Sequence, residues 1–350
     1  MKKKSFAGGG ATVAIPDTAM NLMGERKKPG APFPFRCAYF LSIVILALIS
    51  LTAPGQAATI AAGAEHNLGL KPDGTVMAWG YNVEGQCNVP AGLNGVVAVA
   101  ACLLHSLALK GDGTVVAWGW NHHGQCDVPA GLNGVVAVAA GSYHNLALKS
   151  NGTVVAWGSN AHGECDVPPG LTGVVAVSAN HLHSLALKSN GTVVAWGYNC
   201  YGQASVPAGL TGVVAVAAGA YYSLALKSNG TLAAWGANGY RQCTLAATLT
   251  GVAAVDAGAY HALALKPGGT VVAWGSNRYG ECDVPAGLNG VVTVSTSLHH
   301  NLALKADGTV VAWGWNYRGQ CDVPAGLRLK VPPNPASKSL PAILPLLLNH

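Results

Sequence analysis

The 350-residue sequence predicts an all-β fold, a seven-bladed β-propeller of 39-residue repeats with three to four short antiparallel strands per blade. Three observations carry that prediction. Tryptophan recurs at a constant interval of 39, as Trp79, Trp118, Trp157, Trp196, Trp235, Trp274 and Trp313, and glycine follows each one. The stretch from Val135 to Gly173 nearly rewrites the chain from 57 to 327, and self-similarity at such a period marks a repeat architecture. The composition also fits. Only 10% of residues are charged and 46 are Gly, which suits many short strands joined by tight turns.

Each element of the repeat has a reason. Val135 to Ala140 is a β-branched run ending at Gly141, a first strand. Asn145 to Lys149 alternates large and small apolar residues at period two, a second strand. Ser150-Asn151-Gly152-Thr153 is a hairpin turn, because Asn-Gly and Asp-Gly accept the positive φ angles such turns need. The Asn-Gly-Thr sequences at Asn151, Asn190 and Asn229 match a glycosylation pattern but read better as these turns. Val154 to Trp157 is a third strand. Cys165 to Pro168 is a candidate fourth, confined to an edge by its proline. In blade five Arg241 replaces the loop glycine and Ala246 replaces the proline.

Strand direction then places the loops. The A-G-x-x-H loop between strands one and two and the loop leaving strand three lie at the same end of each blade. The Asn-Gly hairpin and its neighbouring lysine lie at the other end. No further first strand follows the seventh repeat, so Thr59 to Ala62 is expected to complete the first blade and join the chain ends.

Residues 1–57 read as a leader. Arg26, Lys27, Lys28 and Arg36 precede the uncharged run Cys37 to Ala53, and small residues follow, which is the pattern of a secretory signal. Cleavage near Ala57 or Ala58 would release a propeller of residues 58–327, secreted, periplasmic or at the cell surface. The competing reading is an uncleaved anchor, since an apolar run of about 17–20 residues can span a bilayer. Membrane contact is expected only through that leader. Residues 328–350 form a Pro-rich and then apolar tail.

Of the net charge of +6, +5 lies in the leader. Residues 58–350 carry thirteen basic and twelve acidic groups, so no basic surface for phosphates is expected, and nucleic acid is not an expected partner.

The repeat pattern H-x-L-A-L-K-x-D/N-G-T-V-V-A-W-G-x-N-x-x-G-Q, clear at His105 to Lys110 and Val115 to Gly119, resembles the regulator of chromosome condensation repeat family. The resemblance spans roughly residues 58–327 and implies a seven-bladed propeller. The short repeat, the ending Gly124-Gln125-Cys126-Asp127-Val128-Pro129 and the leader are most similar to a secreted bacterial branch that inhibits beta-lactamases. That branch implies a loop face that caps an enzyme, with a beta-lactamase-like enzyme as partner. The eukaryotic branch implies nucleotide exchange on a small GTPase and contact with chromatin. Cysteine at 87, 126, 165, 243, 282 and 321 departs from the inhibitor pattern, which has threonine there.

What differs between repeats marks the candidate site. Beyond the seven framework tryptophans, every Trp and Tyr after residue 57 falls in the two loops at one end of the ring. Large contact area at low entropic cost makes Trp, Tyr and Arg the residues of binding hot spots and paratopes. The candidate partner-binding residues are Tyr81, Glu84, Trp120, His122, His123, Tyr143, His162, Tyr198, Tyr201, Tyr221, Tyr240, Tyr260, Arg278, Tyr279, His299, Trp315, Tyr317 and Arg318. The bland alternative is that these rings pack only on one another.

The framework tryptophans are expected between blades. His66, His105, His144, His183, His261 and His300, with Tyr222 in the gap, form one residue per blade, a ring and not a metal cluster. They are expected to hydrogen-bond loop backbone. The framework cysteines read as small buried thiols, with a Cys102–Cys200 pairing left open. No nucleophile motif, phosphate loop or loop carboxylate pair is present, so no catalysis, cofactor or metal is expected. The reading is an exported, monomeric, non-catalytic protein that binds a macromolecule, a protein first. The alternatives are a carbohydrate-binding lectin and an exchange or chromatin factor.

Overall fold

The computed structural model describes residues 58–332. The leader and the distal tail lie outside the described residues. Seven three-stranded antiparallel sheets follow one another along the chain. Their inner strands are Ile60–Ala62, Val96–Cys102, Val135–Ala140, Val174–Asn180, Val213–Ala218, Ala254–Ala257 and Val291–Thr296. Each pairs with a middle strand running from His or Tyr toward Lys, and that strand pairs with an outer strand ending in Trp-Gly. Successive inner strands are neighbours, and the first also lies beside the seventh, which closes the ring.

The candidate fourth strand does not form. Cys126 ends a turn and Asp127 to Pro129 have no regular structure, the Asp127 N–H donating to the Gly124 carbonyl at 3.0 Å. The Asn121 Oδ1 accepts the Cys126 N–H at 2.7 Å and its Nδ2 donates to Asp127 at 2.8 Å, so a side chain takes the place of a strand partner. In blade five the same segment coils into a short helix, Gln242–Ala246, which the missing proline permits. Arg241 precedes it at φ +62°, where the other blades use glycine.

Trp118 is 7% exposed and packs against Leu68, Leu70 and Val96, so it lies between blades one and two as the periodicity predicts. Its Nε1 donates to the main-chain carbonyl of Gln86, one blade back, at 2.9 Å. The Ser106 hydroxyl donates to the same carbonyl at 2.9 Å and meets His66 Nε2 at 3.0 Å. The histidine therefore does not bond loop backbone; it reaches the next blade's Ser or Asn side chain. That partner is forty positions along the chain, and only the ring brings it near.

This linkage recurs in every blade but one. Ala262 stands where the Ser or Asn should be, and the preceding blade has Tyr222 in place of His. The longer side chain reaches past Ala262, and its hydroxyl donates to the His261 carbonyl at 2.6 Å.

The ring closes through both chain ends. The Leu70 N–H donates to the Thr59 carbonyl and its own carbonyl accepts from the Lys330 N–H, each at 2.8 Å. Blade one thus takes the start of its inner edge from residues 329–330 and the rest from 59–62. His300 Nε2 meets Asn67 at 2.6 Å, and Trp79 donates to the Gln320 carbonyl at 3.2 Å. Leu329 is buried beside Trp79, Leu302 and Leu304. Gly69 makes room for it where other middle strands have alanine. A Cβ at Gly69 would stand 2.6 Å from a Leu329 methyl. Gly69→Ala is predicted to cost about 1–3 kcal/mol in urea unfolding. The cost should largely vanish in a Leu329→Ala background, and an equal cost in both backgrounds would refute the packing argument.

Burial holds His66, His144, His183 and His300 near a pKa of about 3, and His105 and His261 near about 4, against an ordinary 6.5. The folded ring keeps these imidazoles neutral while the unfolded chain protonates them below about 6.5. Their contribution is complete above that pH and is lost as pH falls toward 4, at roughly 1–2 kcal/mol per pH unit for each histidine. Asp256, raised by burial to about 6, acts in the opposite sense, but it is one group against six. The melting temperature is predicted to be level above pH 7 and to fall steeply below pH 6. A melting temperature unchanged from pH 7 to 4.5 would sink this reading.

Candidate binding face

Both loop types of every blade meet at one end of the ring. The outgoing loop hydrogen-bonds the A-G-x-x-H loop of its own blade: the Trp120 N–H donates to the Leu104 carbonyl at 2.9 Å and the Trp315 N–H to the His299 carbonyl at 2.8 Å. Beneath, the framework glutamine ties the loop down. Gln125 Oε1 accepts the His123 N–H at 2.9 Å, and Gln320 does the same for Arg318 at 2.8 Å. These bonds engage main chain and framework side chains, so the variable side chains are left to point outward.

Seventeen of the eighteen candidate residues fall into three clusters. In the first, Trp120 contacts His122, His123 and Tyr143 with ring centroids 5.2–5.5 Å apart. In the second, Tyr221 lies 6.4 Å from Tyr198, 5.3 Å from Tyr201 and 6.0 Å from Tyr260. His162 extends that cluster from Tyr198, and Tyr240 extends it from Tyr260. In the third, Tyr279, His299 and Trp315 meet within 5.9 Å of one another, and Tyr317 stacks on Trp315. Arg278 lies against Tyr279. The Arg318 guanidinium sits 4.7 Å from the Tyr81 ring and 5.1 Å from Tyr317, with Glu65 at 3.7 Å, and so spans the seam between blades seven and one. Glu84 is exposed and joins none of the clusters.

The rings pack on one another and still leave much surface free. Tyr317 is 74% exposed, Tyr201 58% and Tyr240 52%. Val83, at 72%, belongs to the same surface and was missed because it is not aromatic. Its signal was positional, since it occupies the loop place of Arg278 and Tyr317. His181, in the first loop of blade four, supports this surface from below. Its φ is +43°, and its ring meets Ser142 at 3.3 Å and Tyr221 at 3.0 Å, so it buttresses the second cluster. Burial pushes its pKa down.

Two buried carboxylates lie under this face, Glu164 and Glu281, at framework glutamine positions. Glu164 accepts from the His162 N–H at 2.7 Å and the Ser159 hydroxyl at 2.9 Å; Glu281 accepts from the Tyr279 N–H at 2.7 Å. His299 Nδ1 lies 3.4 Å from Glu281. Both carboxylates hold loop backbone. Among the described residues no group of three or more His, Cys, Asp or Glu converges as metal ligands would.

All eight described cysteines are free, Cys102 and Cys200 included. The framework thiols lie half-buried against loop carbonyls, as Cys165 does at 3.0 Å from the Ser159 oxygen. Burial raises them to about 11, and Cys165 to about 12. Cys200 is exposed in the second cluster, and a hydrogen bond with it pushes the Tyr198 phenol up to about 12.

The family model of the regulator of chromosome condensation (RCC1) repeat matches residues 57–86, 96–125, 135–164, 174–203, 213–242, 252–281 and 291–320. No curated protein matches the chain in sequence. Among solved structures, the ectodomain of the Physcomitrella patens receptor kinase CR4 is similar at TM-score 0.60 and 20% identity, covering 73% of this chain and 72% of that one. The CRINKLY WD40 ectodomain of the Arabidopsis thaliana receptor kinase ACR4 gives 0.59 and 20%, over 74% and 98%. Human WBSCR16 gives 0.59 and 22%, over 70% and 86%. At these identities the likeness concerns the fold alone. Because reactivity follows thiolate fraction and access, Cys200 is predicted to be the first of the eight described cysteines to react with a maleimide at pH 7.5. Peptide mapping that found the framework cysteines labelled equally fast would contradict the burial assigned to them.

Proposed function

The chain belongs to the regulator of chromosome condensation repeat family, and from that premise we propose an exported, non-catalytic binding protein that recognises a protein through its aromatic loop face. One observation carries the reading most. The non-framework aromatics gather into three different clusters on one face, with Trp315, Tyr317 and Arg318 beside one another. Such residues supply most of the energy of protein interfaces, and a large exposed apolar patch marks an interaction surface. Each blade offers a different set, which suits an asymmetric protein epitope. A lectin that repeated one sugar site per blade would show the same set each time. The loop carboxylates engaged with backbone favour binding over acid–base chemistry. The finer proposal is that the partner is an enzyme that the face occludes. The similarity in repeat length and motif to beta-lactamase inhibitor protein II makes a beta-lactamase-like enzyme the first to try.

The test is a pull-down from the exported fraction of the source. The wild-type chain is run beside a Trp120→Ala, Trp315→Ala, Tyr317→Ala variant with an unchanged melting curve. Truncating a hot-spot residue costs about 2 kcal/mol or more, roughly thirtyfold in affinity. A protein retained by the wild type and lost by the variant is the expected result. Retention that ignores the substitutions, or none at all, would overturn the proposal.

A further inference from the structure

The described residues hold twelve basic and twelve acidic side chains, a balance that conceals how the fold sorts them. Every middle strand ends at a lysine or one residue before it, at the hairpin end of its blade, away from the aromatic loops. Arg328 and Lys330 join them at the closing seam. Against these nine cations the hairpin face carries three carboxylates, Asp73, Asp112 and Asp307. Asp73 lies 3.8 Å from its lysine and Asp112 3.3 Å from its own; Asp307 feels Lys305 and Arg328.

In blades three to six the turn residue is Asn151, Asn190, Asn229 or Gly268 instead. Lys149, Lys188, Lys227 and Lys266 have no carboxylate within ion-pair distance among the described residues. Four successive blades therefore present an uninterrupted basic arc at one end of the ring. The compensating acids lie elsewhere, toward the loop face and its outer turns.

The chain also enters and leaves at this end. Ala58 precedes the hairpin end of the first inner strand, and Leu329 and Lys330 bond to Gly308 and Leu70 there. Beyond Lys330 the sequence holds the apolar run Leu340 to Leu348. A basic face whose chain runs on into apolar sequence suits a surface that is anionic outside and apolar beneath. Lipid bilayers rich in anionic headgroups attract such clusters.

We propose that the hairpin face of the propeller docks on an anionic lipid bilayer and thereby turns the aromatic face outward. The attraction is electrostatic, worth roughly fivefold in partition per lysine near the surface and screened by salt. This does not depend on the identity of the partner at the opposite face.

The test is sedimentation of the full chain with phosphatidylcholine vesicles, with and without about 30% phosphatidylglycerol, at about 50 and 300 mM salt. The informative variant is Asn151→Asp, Asn190→Asp, Asn229→Asp, which gives three blades the acid that Asp73, Asp112 and Asp307 already provide. The turn keeps its geometry, because Asn Oδ1 accepts the following Thr N–H at 3.1 Å and Asp does so at 2.9 Å. Lys149→Gln, Lys188→Gln, Lys227→Gln is a second variant should the first alter the melting curve. Arg241→Glu, Arg278→Glu, on the loop face, is the control, and the leader is common to all chains. Wild type and control are expected to bind the anionic vesicles in a salt-sensitive way, with the hairpin variants weakened about tenfold or more. Equal binding of all chains would assign the affinity to the leader and overturn the proposal. So would preferential capture by duplex DNA or an acidic polysaccharide at matched charge.

Discussion

One main-chain carbonyl per blade holds the ring together. It belongs to the framework Gln or Glu and accepts the indole N–H of the next blade's tryptophan. In six blades it also accepts a Ser or Asn side chain. A buried donor without a partner costs more than the bond itself contributes, so each tryptophan is both bulk in the inter-blade core and half of an obligatory pair. Neither half is useful without a neighbouring blade, which is why a single repeat cannot stand alone and seven identical tryptophans are required. The exception follows the same logic. Where Ala262 removes the second donor, Tyr222 supplies a longer arm to a different carbonyl, and the cavity that a histidine would leave is filled.

The framework was legible because periodicity exposes it: Trp118 and Asn151-Gly152 announce their roles by recurring. The histidine partner was not read, although the signal existed. Ser or Asn appears forty positions after each framework histidine except His300, whose partner Asn67 lies across the closure, and Ala262 appears after Tyr222. A spacing of one repeat plus one has no meaning until blades are known to be adjacent. Gly69 and Leu329 were unreadable for a similar reason, since 260 residues separate them in sequence. The aromatic face was legible as a set but not as three clusters, because cluster membership depends on which rings tilt together. Val83 was invisible to a search keyed on aromatic residues. The charge distribution is legible from topology and not from composition. A sum over residues 58–350 is near neutral, and only strand direction gathers the framework lysines at one end with three carboxylates beside them.

The two faces are built on different principles from the same repeat. On the loop face, Asn121, Gln125 and their equivalents fix the backbone through their own side chains, which leaves the intervening positions free of structural duty. Tryptophan, arginine, histidine or valine can stand there without disturbing the turn. On the hairpin face the turn itself limits choice to Asn, Asp or Gly, so diversity enters only as charge. Under the two proposals, recognition and orientation would rest on separate parts of one repeat.

Blade one draws its inner edge from residues 59–62 and 329–330, so its last neighbours arrive only when the final repeat is complete. During synthesis the first blade waits with Trp79 and Asn67 unsatisfied while six others stack beside it. Contacts this distant in sequence are slow to form, because the intervening chain must be ordered first. An exported chain would meet that delay after translocation, outside the compartment of its synthesis. Between emergence of the first repeat and arrival of the last, the growing stack has an unsealed apolar end, the interval in which another copy of the same stack could occupy it.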